Sequence, residues 1–206
     1  MAEGSRLSGI PSGAVVAILR NHDDELNETV ARAAATSDAV GFDLAGDELR
    51  WPSLERYVDA FGIAAVAGLG LTAHAAEAAA ASAALDAHRL FGVTRIGHGA
   101  HIIDDADVLK GVVDAGLTVE VCPSSNWFTG AMTRLKDHPA PVFRDAGVKL
   151  ALGDDNPRQT LSLLSNERAI LRGILGFDDA ALADLDESSI QAAFISDDVR
   201  RSLRVG

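Results

Sequence analysis

Short apolar runs alternate with amphipathic helical segments along the whole chain, and this alternation limits the possible folds more than any other feature of the sequence. The run Val15–Leu19 is typical of a buried strand, and Asp24–Ala35 after it carries apolar residues at helical spacing. Six such units predict a parallel sheet covered by helices, arranged either as an open doubly wound sheet or as part of a (β/α)8 barrel. The other predicted strands are residues 39–44, 68–73, 95–97, 117–121 and 148–152, and the other predicted helices are residues 53–61, 77–91, 105–115, 139–146, 161–175, 178–185, 188–194 and 197–203.

The composition is that of a globular protein and bears on its partners. Of the 206 residues, 48% are hydrophobic and no Pro-, Gly- or Ser-rich linker divides them, so we expect one domain over residues 1–206. The 30 acidic residues outnumber the 18 basic ones, which argues against nucleic-acid binding because that needs a positive surface. No apolar run approaches the roughly 18 residues of a membrane span. A single cysteine, Cys122, excludes an internal disulfide framework, and without a secretory signal we expect a cytoplasmic protein.

Polar residues mark the C-terminal ends of four predicted strands. Asp43, His74, His98 and the adjacent pair Asp154 and Asp155 each lie at the end of a strand or just after it. In a barrel these ends converge on one mouth, where catalytic groups from separate strands meet, whereas an open sheet would spread them along an edge. The placement therefore favours the barrel.

The residue types at these strand ends suit metal-assisted hydrolysis. Histidine and aspartate are ligands of Zn²⁺, which lowers the pKa of a water that it binds to near neutrality. Glu77, three residues after His74, and a second histidine, His98, could move protons. Taken singly, each polar residue also fits a structural role in a hydrogen-bonded or solvated turn, and Cys122 is a candidate pocket residue. We expect structural roles for the other histidines, His22, His88, His101 and His138.

Five ordered segments of the chain resemble the adenosine deaminase family of metal-dependent amidohydrolases. The resemblance implies an α/β fold, a partial (β/α)8 TIM barrel with about six of eight β/α units (the third to eighth strands) plus C-terminal helices. It also implies that these 206 residues form the C-terminal portion of such a barrel, because Val15–Leu19 aligns with the family's third strand. The segments are Asp43-Leu44-Ala45-Gly46-Asp47-Glu48, His74-Ala75-Ala76-Glu77, Arg95-Ile96-Gly97-His98-Gly99, Glu120-Val121-Cys122-Pro123-Ser124-Ser125-Asn126 and Asp154-Asp155-Asn156-Pro157, and residues 192–203 resemble the family's closing helices.

The resemblance implies roles for individual catalytic residues. His74 and Asp154 match zinc ligands of the family, with one Zn²⁺ per chain when the site is complete. Glu77 matches the proton donor to purine N1, and His98 matches the histidine that orients the attacking water and helps to remove its proton. Preplaced groups of this kind would lower the barrier to hydrolysis by electrostatic stabilisation.

The reaction that the resemblance implies is hydrolytic deamination of adenosine or a related 6-aminopurine nucleoside, which gives an inosine-type product and ammonia. Asp155 matches a substrate-binding aspartate, and Gly46 matches a glycine whose backbone amide meets purine N3. Ala76 stands where the family usually has glycine, and Gly153 and Asn156 differ from the commonest form of the last motif. These departures are compatible with a subfamily that acts on another 6-aminopurine nucleoside or a modified adenine derivative.

The chain departs from the family at its metal site. The family's first strand carries a His-x-His pair that supplies two further zinc ligands, and no His-x-His occurs in these 206 residues. We therefore expect weak metal binding, because a catalytic zinc site usually has three ligands from protein. We also expect a barrel with two open edges, which self-associates or needs a partner, and a sequence that is a fragment of a longer protein.

Two alternatives stay open beside this reading. The chain could be a catalytically inactive deaminase-like remnant or a binding module that lacks a complete metal site. It could instead be an amidohydrolase with a binuclear metal site bridged by a carboxylated lysine. This second alternative ranks last, because Lys110, Lys136 and Lys149 do not fall at the C-terminal ends of predicted strands.

Overall fold

The computed structural model describes residues 6–204 and contains a sheet of six parallel strands. The strands lie side by side in chain order, and each neighbouring pair is parallel. A doubly wound sheet reverses its strand order at a switch point, and this order has no reversal. The predicted α/β fold with about six β/α units of a barrel is therefore confirmed. The strands are β1 (Val15–Leu19), β2 (Gly41–Ala45), β3 (Gly70–Ala75), β4 (Arg95–His98), β5 (Thr118–Val121) and β6 (Lys149–Leu152).

Helices connect the strands and pack on one face of the sheet. Asp23 and Asp105 begin two of them, because each carboxylate accepts hydrogen bonds from N–H groups of the first turn. Within residues 6–204 no helix is long and apolar enough to cross a membrane. The helices are α1 (Asp24–Ala35), α2 (Val58–Val66), α3 (Ser82–Phe91), α4 (Ala106–Asp114), α5 (Pro123–Phe128), α6 (Ala140–Ala146), α7 (Pro157–Thr160), α8 (Leu164–Gly173), α9 (Asp179–Ala192) and α10 (Asp197–Ser202).

The hydrophobic core lies between the sheet and the helices. Phe42 on β2, Phe61 on α2 and Phe91 on α3 are buried together. The rings of Phe61 and Phe91 stack with their centroids 4.1 Å apart, and Phe42 meets Phe61 edge-on at 5.2 Å. Because side chains alternate between the two faces of a strand, Asp43 points away from this core and towards the interior of the barrel.

The chain after α9 covers the N-terminal end of the sheet. Phe194 packs across Gly41 and Gly70, where an added Cβ would come within 2.5 and 2.1 Å of its ring atoms. The Arg95 guanidinium lies 3.9 Å from the centre of the same ring and donates a hydrogen bond to the carbonyl oxygen of Ala192. A site therefore has to lie at the opposite, C-terminal ends of the strands.

The helix predicted at residues 77–91 is wrong at its beginning. It begins only at Ser82, and residues 76–79 form a loop. The backbone N–H groups of residues 76–79 donate hydrogen bonds to the carboxylate of Glu48, so they do not take part in a helix. Glu77 therefore lies in a loop held by a distant side chain, which helical spacing could not show.

Other helical segments also differ from the prediction. The helices predicted at residues 178–185 and 188–194 are mostly one helix, α9, since no glycine or proline separates them. The segment predicted as a helix at residues 53–61 is a 3₁₀ turn, Glu55–Tyr57, that continues into α2. The short helix α5 falls where a loop is predicted, and its proline occupies the first helical position, where a missing N–H costs nothing.

Candidate active site

A cavity of about 210 Å³ lies at the C-terminal ends of the strands. Strand pairing places His74, Gly97 and Glu120 at one level of the sheet. Gly97 allows this arrangement, because a Cβ there would lie only 3.2 Å from Nδ1 of His74. The structure thus brings most of the predicted strand-end residues together. The cavity is lined by His74, Gly97, His98, Glu120, Cys122, Ala151, Leu152, Gly153, Asp154 and Asp155.

A larger cavity, of about 830 Å³, lies at the opposite end of the strands beside Phe194. Among the residues that the structure describes, no histidine, cysteine or carboxylate lines this larger cavity. It therefore lacks side chains that bind a metal ion or transfer protons near neutral pH. The smaller cavity has both kinds of group and is the candidate active site.

His74, on β3, is oriented by the carboxylate of Asp43 on β2. Nδ1 of His74 lies 3.0 Å from Oδ2 of Asp43. Burial would raise the pKa of Asp43, but the charge of His74 and this hydrogen bond hold that pKa below its usual value. Burial would likewise lower the pKa of His74, but Asp43 raises it to about 9. The Nδ1–H of His74 therefore donates to an ionised carboxylate, which leaves Nε2 directed away from Asp43 as the ligand atom.

His98, at the end of β4, has a left-handed backbone with φ 64° and is 3% exposed. Its Nδ1 lies 3.1 Å from Nδ2 of Asn126, and its Nε2 lies 3.8 Å from Oε2 of Glu77. The rings of His98 and His74 meet with their centroids 4.8 Å apart. Burial and the charge of His74 lower the pKa of His98 to about 4, so the ring is neutral at neutral pH.

Glu77 projects from the loop after β3 towards His98. Burial raises its pKa, the charge of His74 opposes this, and the carboxylates of Glu48 and Asp155 raise the pKa further. One carboxylate oxygen accepts a hydrogen bond from Oγ1 of Thr129 at 3.3 Å. A carboxyl group with a raised pKa keeps its proton at higher pH, which suits a proton donor.

A buried ion pair anchors the loop that carries Glu77. Glu48 and Arg20 lie 3.5 Å apart, with both side chains almost fully buried. Arg20 also donates a hydrogen bond of 3.0 Å to the carbonyl oxygen of His74, while Glu48 binds the N–H groups of residues 76–79. The pair thus fixes the backbone on either side of Ala76, whose φ of 55° turns the chain between His74 and Glu77.

Asp154 and Asp155 follow β6 and occupy different positions. Asp155 has a left-handed backbone with φ 54° and accepts a 2.5 Å hydrogen bond from Oγ of Ser125. Possible ligand atoms of His74, His98 and Asp155 lie within 4.8 Å of one another. Asp154, the ligand implied by the resemblance, lines the same cavity but is not part of this group.

Cys122 lines the cavity, whereas Gly46 lies outside it. Burial raises the pKa of the Cys122 thiol well above its usual value, so the thiol stays protonated and is a poor nucleophile. Its Sγ restricts the side chain that residue 153 can carry, because a Cβ at Gly153 would lie only 3.0 Å from this sulfur. Gly46 has a φ of 110° and lies against the backbone of Arg20, and it is not among the residues that line the cavity.

Four residues that shape the site are not among its predicted catalytic, metal-binding or substrate-binding residues. Glu48 and Asn126 lie inside the motifs quoted above, and their polar character next to functional side chains was a usable signal. Arg20 lies outside those motifs, and its contact with Glu48 depends on the pairing of β1 with β2. His138 contacts Asn126 from twelve residues away, which no local pattern shows.

The fold and the site together define a class of protein. A β/α barrel that brings histidines and carboxylates to one cavity at the strand ends is typical of hydrolases that use a metal ion. A sequence profile described as "Adenosine deaminase" matches residues 1–205. The chain belongs to the adenosine deaminase family, as the resemblance implies.

Curated relatives are longer than this chain. The chain is 38% identical over 173 residues to an adenine deaminase from Rhizobium johnstonii, an alignment that covers 84% of this chain and 53% of the relative. It is 37% identical over 178 residues to an adenosine deaminase from Shewanella loihica, with 86% and 54% covered. The chain thus spans about half the length of these relatives.

Solved structures show the same fold. An adenine deaminase from Arthrobacter aurescens superposes with a TM-score of 0.92 at 27% identity, over 98% of this chain and 62% of the other. An amidohydrolase from Burkholderia ambifaria with bound zinc superposes with a TM-score of 0.90 at 22% identity, over 100% of this chain and 58% of the other. The six-stranded sheet therefore corresponds to a part of a larger family barrel.

Proposed function

We propose that this chain carries the larger part of the active site of a zinc-dependent deaminase. The substrate is adenosine or a related 6-aminopurine nucleoside, and the products are an inosine-type nucleoside and ammonia. The supporting observation is the convergence of His74, His98, Glu77 and Asp155 at the C-terminal mouth of the barrel. The names of the relatives, which include adenine and adenosine deaminases, support a purine amino group as the reacting group.

The donor set fits one zinc ion per chain. His74 offers Nε2, because Asp43 accepts its Nδ1–H, and Asp154 and Asp155 offer carboxylate oxygens beside it. We assign His74 and Asp154 as ligands, with further ligands needed from outside these 206 residues. A bound Zn²⁺ would supply Lewis acidity, which lowers the pKa of a water molecule in the site.

The remaining residues hold the substrate and move protons. Glu77 donates its proton to purine N1, which its raised pKa supports. His98 orients the attacking water from the floor of the cavity, where it is buried. Asp155 and the backbone amide of Gly46 bind the purine. These roles follow the resemblance, and the shared cavity supports them for Asp155 and His98.

The chain forms one domain, residues 1–206, of a barrel that is completed by further strands. In the described residues β1 and β6 are the edges of the sheet, and each has a strand neighbour on one side only. Self-association through these edges is one way to cover them. We place the protein in the cytoplasm, which the single buried cysteine supports.

A catalytically inactive deaminase-like remnant, or a binding module, is the second candidate function. The observation in its favour is that no His-x-His occurs in the 206 residues, so two expected ligands are missing. In such a protein the cavity would bind a purine without turning it over.

The two candidates differ in ammonia release from adenosine and from adenine, assayed with and without Zn²⁺. Zinc-dependent release by the chain that is abolished in Glu77→Gln, with zinc content unchanged, would support the deaminase. If the chain releases no ammonia, the assay is repeated after the first two strands of a relative are fused to its N-terminus. Purine binding without turnover in the completed barrel would support the binding module.

A further inference from the structure

A buried chain of polar groups runs from the backbone of α6 to His98. The N–H of Ala140 donates a 3.1 Å hydrogen bond to Nδ1 of His138. Nε2 of His138 lies 3.2 Å from Oδ1 of Asn126, and Nδ2 of Asn126 lies 3.1 Å from Nδ1 of His98. Asn126 is fully buried, and each histidine is 3% exposed. Of these residues only His98 lines the cavity.

The backbone N–H of Ala140 fixes the direction of every hydrogen bond in this series of polar groups, from Ala140 to His98. A backbone N–H can only donate, so Nδ1 of His138 carries no proton. Burial lowers the pKa of His138 to about 4, so its ring is neutral and its one proton lies on Nε2. That proton is donated to the amide oxygen of Asn126, and the amide NH₂ then donates to Nδ1 of His98. The opposite orientation of the amide would place two N–H donors face to face at His138.

The same reasoning shows that the two neighbouring histidines use Nδ1 in opposite ways. Nδ1 of His98 accepts a hydrogen bond and therefore carries no proton, which places the ring proton on Nε2, the atom that faces Glu77 at 3.8 Å. Nδ1 of His74 instead donates a hydrogen bond to Asp43, which leaves Nε2 as the ring nitrogen directed away from that carboxylate. The rings are 4.8 Å apart at an interplanar angle of 62°.

We propose that Asn126 and His138 are positioning residues that fix His98 as the Nε2–H tautomer, so that His98 donates a hydrogen bond into the cavity instead of offering a lone pair there. His98 is then not a metal ligand, although its position beside His74 and Asp155 would otherwise suit one. It orients an oxygen in the site by donation. The tautomer itself follows from the hydrogen bonds alone, and its use in catalysis rests on the proposed function.

The tautomer is tested by long-range ¹H–¹⁵N correlation spectra of the metal-free chain with ¹⁵N-labelled histidine. The expected spectrum shows His98 and His138 both protonated at Nε2 and unprotonated at Nδ1. An unprotonated Nε2 on His98, or rapid exchange between its two tautomers, would overturn the proposal. This readout needs no variant and no activity.

The relay, the hydrogen-bonded series from His138 through Asn126 to His98, is tested with Asn126→Asp. Aspartate keeps the shape of the side chain but accepts hydrogen bonds at both oxygens. We expect Nδ1 of His98 to become protonated in this variant, while His138 keeps its proton on Nε2. The matched control is Asn166→Asp on α8, an exposed position where the same change should leave both rings as in the wild type. If His98 in folded Asn126→Asp keeps an unprotonated Nδ1, Asn126 does not set the tautomer.

Activity separates this proposal from the proposed function. In an active, zinc-loaded protein, Asn126→Asp should lower kcat roughly 10- to 100-fold, as for other changes behind an active-site histidine. KM and zinc content should stay within about twofold of the wild type. A protein with the expected tautomers but no deaminase activity would contradict the proposed function and leave the positioning role intact. An active protein with the other tautomer would contradict only the positioning role.

Discussion

Residues in a left-handed backbone conformation gather at the candidate active site. Ala76, His98 and Asp155 have φ between 54° and 64°, and each lies in or beside the segments that form the cavity. A non-glycine residue in this region costs on the order of 1 to 3 kcal/mol, so the surrounding contacts must hold it there. His98 and Asp155 line the cavity themselves, and the turn at Ala76 brings the next residue, Glu77, to within 3.8 Å of His98.

The strain at Ala76 predicts a large effect of β-branching. Ala76→Val should lower the free energy of unfolding by about 2 kcal/mol or more, because a branched side chain tolerates φ of 55° less well than alanine does and the site is fully buried. Ala80→Val, at an exposed position of the same loop, is the control and should change stability little. Urea unfolding measures both, and equal effects would show that the backbone at Ala76 is not strained.

The buried histidine His138 predicts a pH dependence of stability. Its pKa is about 4 in the folded chain and about 6.5 when unfolded, so the unfolded chain binds the proton first as the pH falls. The contribution of this ring to stability is thus present above pH 6.5 and is lost as the pH falls towards 4. Between pH 7 and pH 5 the free energy of unfolding should fall about 2 kcal/mol less in His138→Gln than in the wild type. Parallel pH curves for the two proteins would contradict the buried neutral ring.

At the scale of elements, the site depends on three strands joined by one ion pair. Arg20 follows β1, Glu48 follows β2, and together they hold the loop after β3 that carries Glu77. The carboxylate of Glu48 accepts hydrogen bonds from four successive backbone N–H groups. These groups bind the anionic side chain at the point where the sequence would otherwise begin a helix. The position of Glu77, the proposed proton donor, is therefore set by a residue nearly thirty positions earlier in the chain.

Neutralising Glu48 tests this connection between strands. Glu48→Gln should lower the free energy of unfolding by about 3 kcal/mol or more, because it leaves the charge of Arg20 buried without a partner. The control is Glu28→Gln, which breaks an exposed pair with Arg32 and should cost less than about 1 kcal/mol. Thermal and urea unfolding provide the measurement, and a loss at Glu48 as small as that at Glu28 would rule out an anchoring role.

The elements that could be predicted are those whose cause is local. The helix Asp24–Ala35 follows from its spacing and its capping Asp23, and β1 follows from a short apolar run. The loop at residues 76–79 could not be predicted, since its alanines favour a helix and only the distant Glu48 prevents one. The strand-end residues of the site could be predicted because parallel strands share one open end.

The relay behind His98 lies beyond such local reasoning. His138 precedes a proline and a short helix, which is an ordinary turn sequence. Its contact with Asn126 on α5 joins two segments that a loop separates along the chain, so it forms only when the tertiary structure brings them together. Tautomers are therefore set by tertiary structure, and the residue types alone leave both histidines equivalent.

At the scale of the whole molecule, the open sheet is the dominant feature. Among the described residues β1 and β6 each have a strand neighbour on one side only, and Val15 on β1 is 40% exposed. At the end of β1 the side chain of Asn27 hydrogen-bonds to both backbone groups of Leu19. Edges of this kind pair with other chains unless they are covered. The fold is thus that of a barrel interrupted between its first and last described strands.

Self-association of the chain should depend on the β1 edge. Val15→Lys should shift the protein towards monomer, because a charged residue on an edge strand opposes pairing. The control is Val66→Lys, which adds the same charge at a helix position that is 92% exposed. This control should leave the monomer fraction unchanged. Sedimentation velocity over a range of concentrations compares the three proteins. The same distribution of species in all of them would mean that β1 is not the contact surface.

The cover over the N-terminal ends of the strands has a consequence for synthesis. Gly41 and Gly70 leave the ribosome more than a hundred residues ahead of Phe194, the side chain that packs on them. At ordinary rates of translation this interval is on the order of ten seconds. During that time the nascent sheet exposes the surface that Phe194 later covers, so ribosome-associated chaperones would find a binding surface there until the last helices emerge.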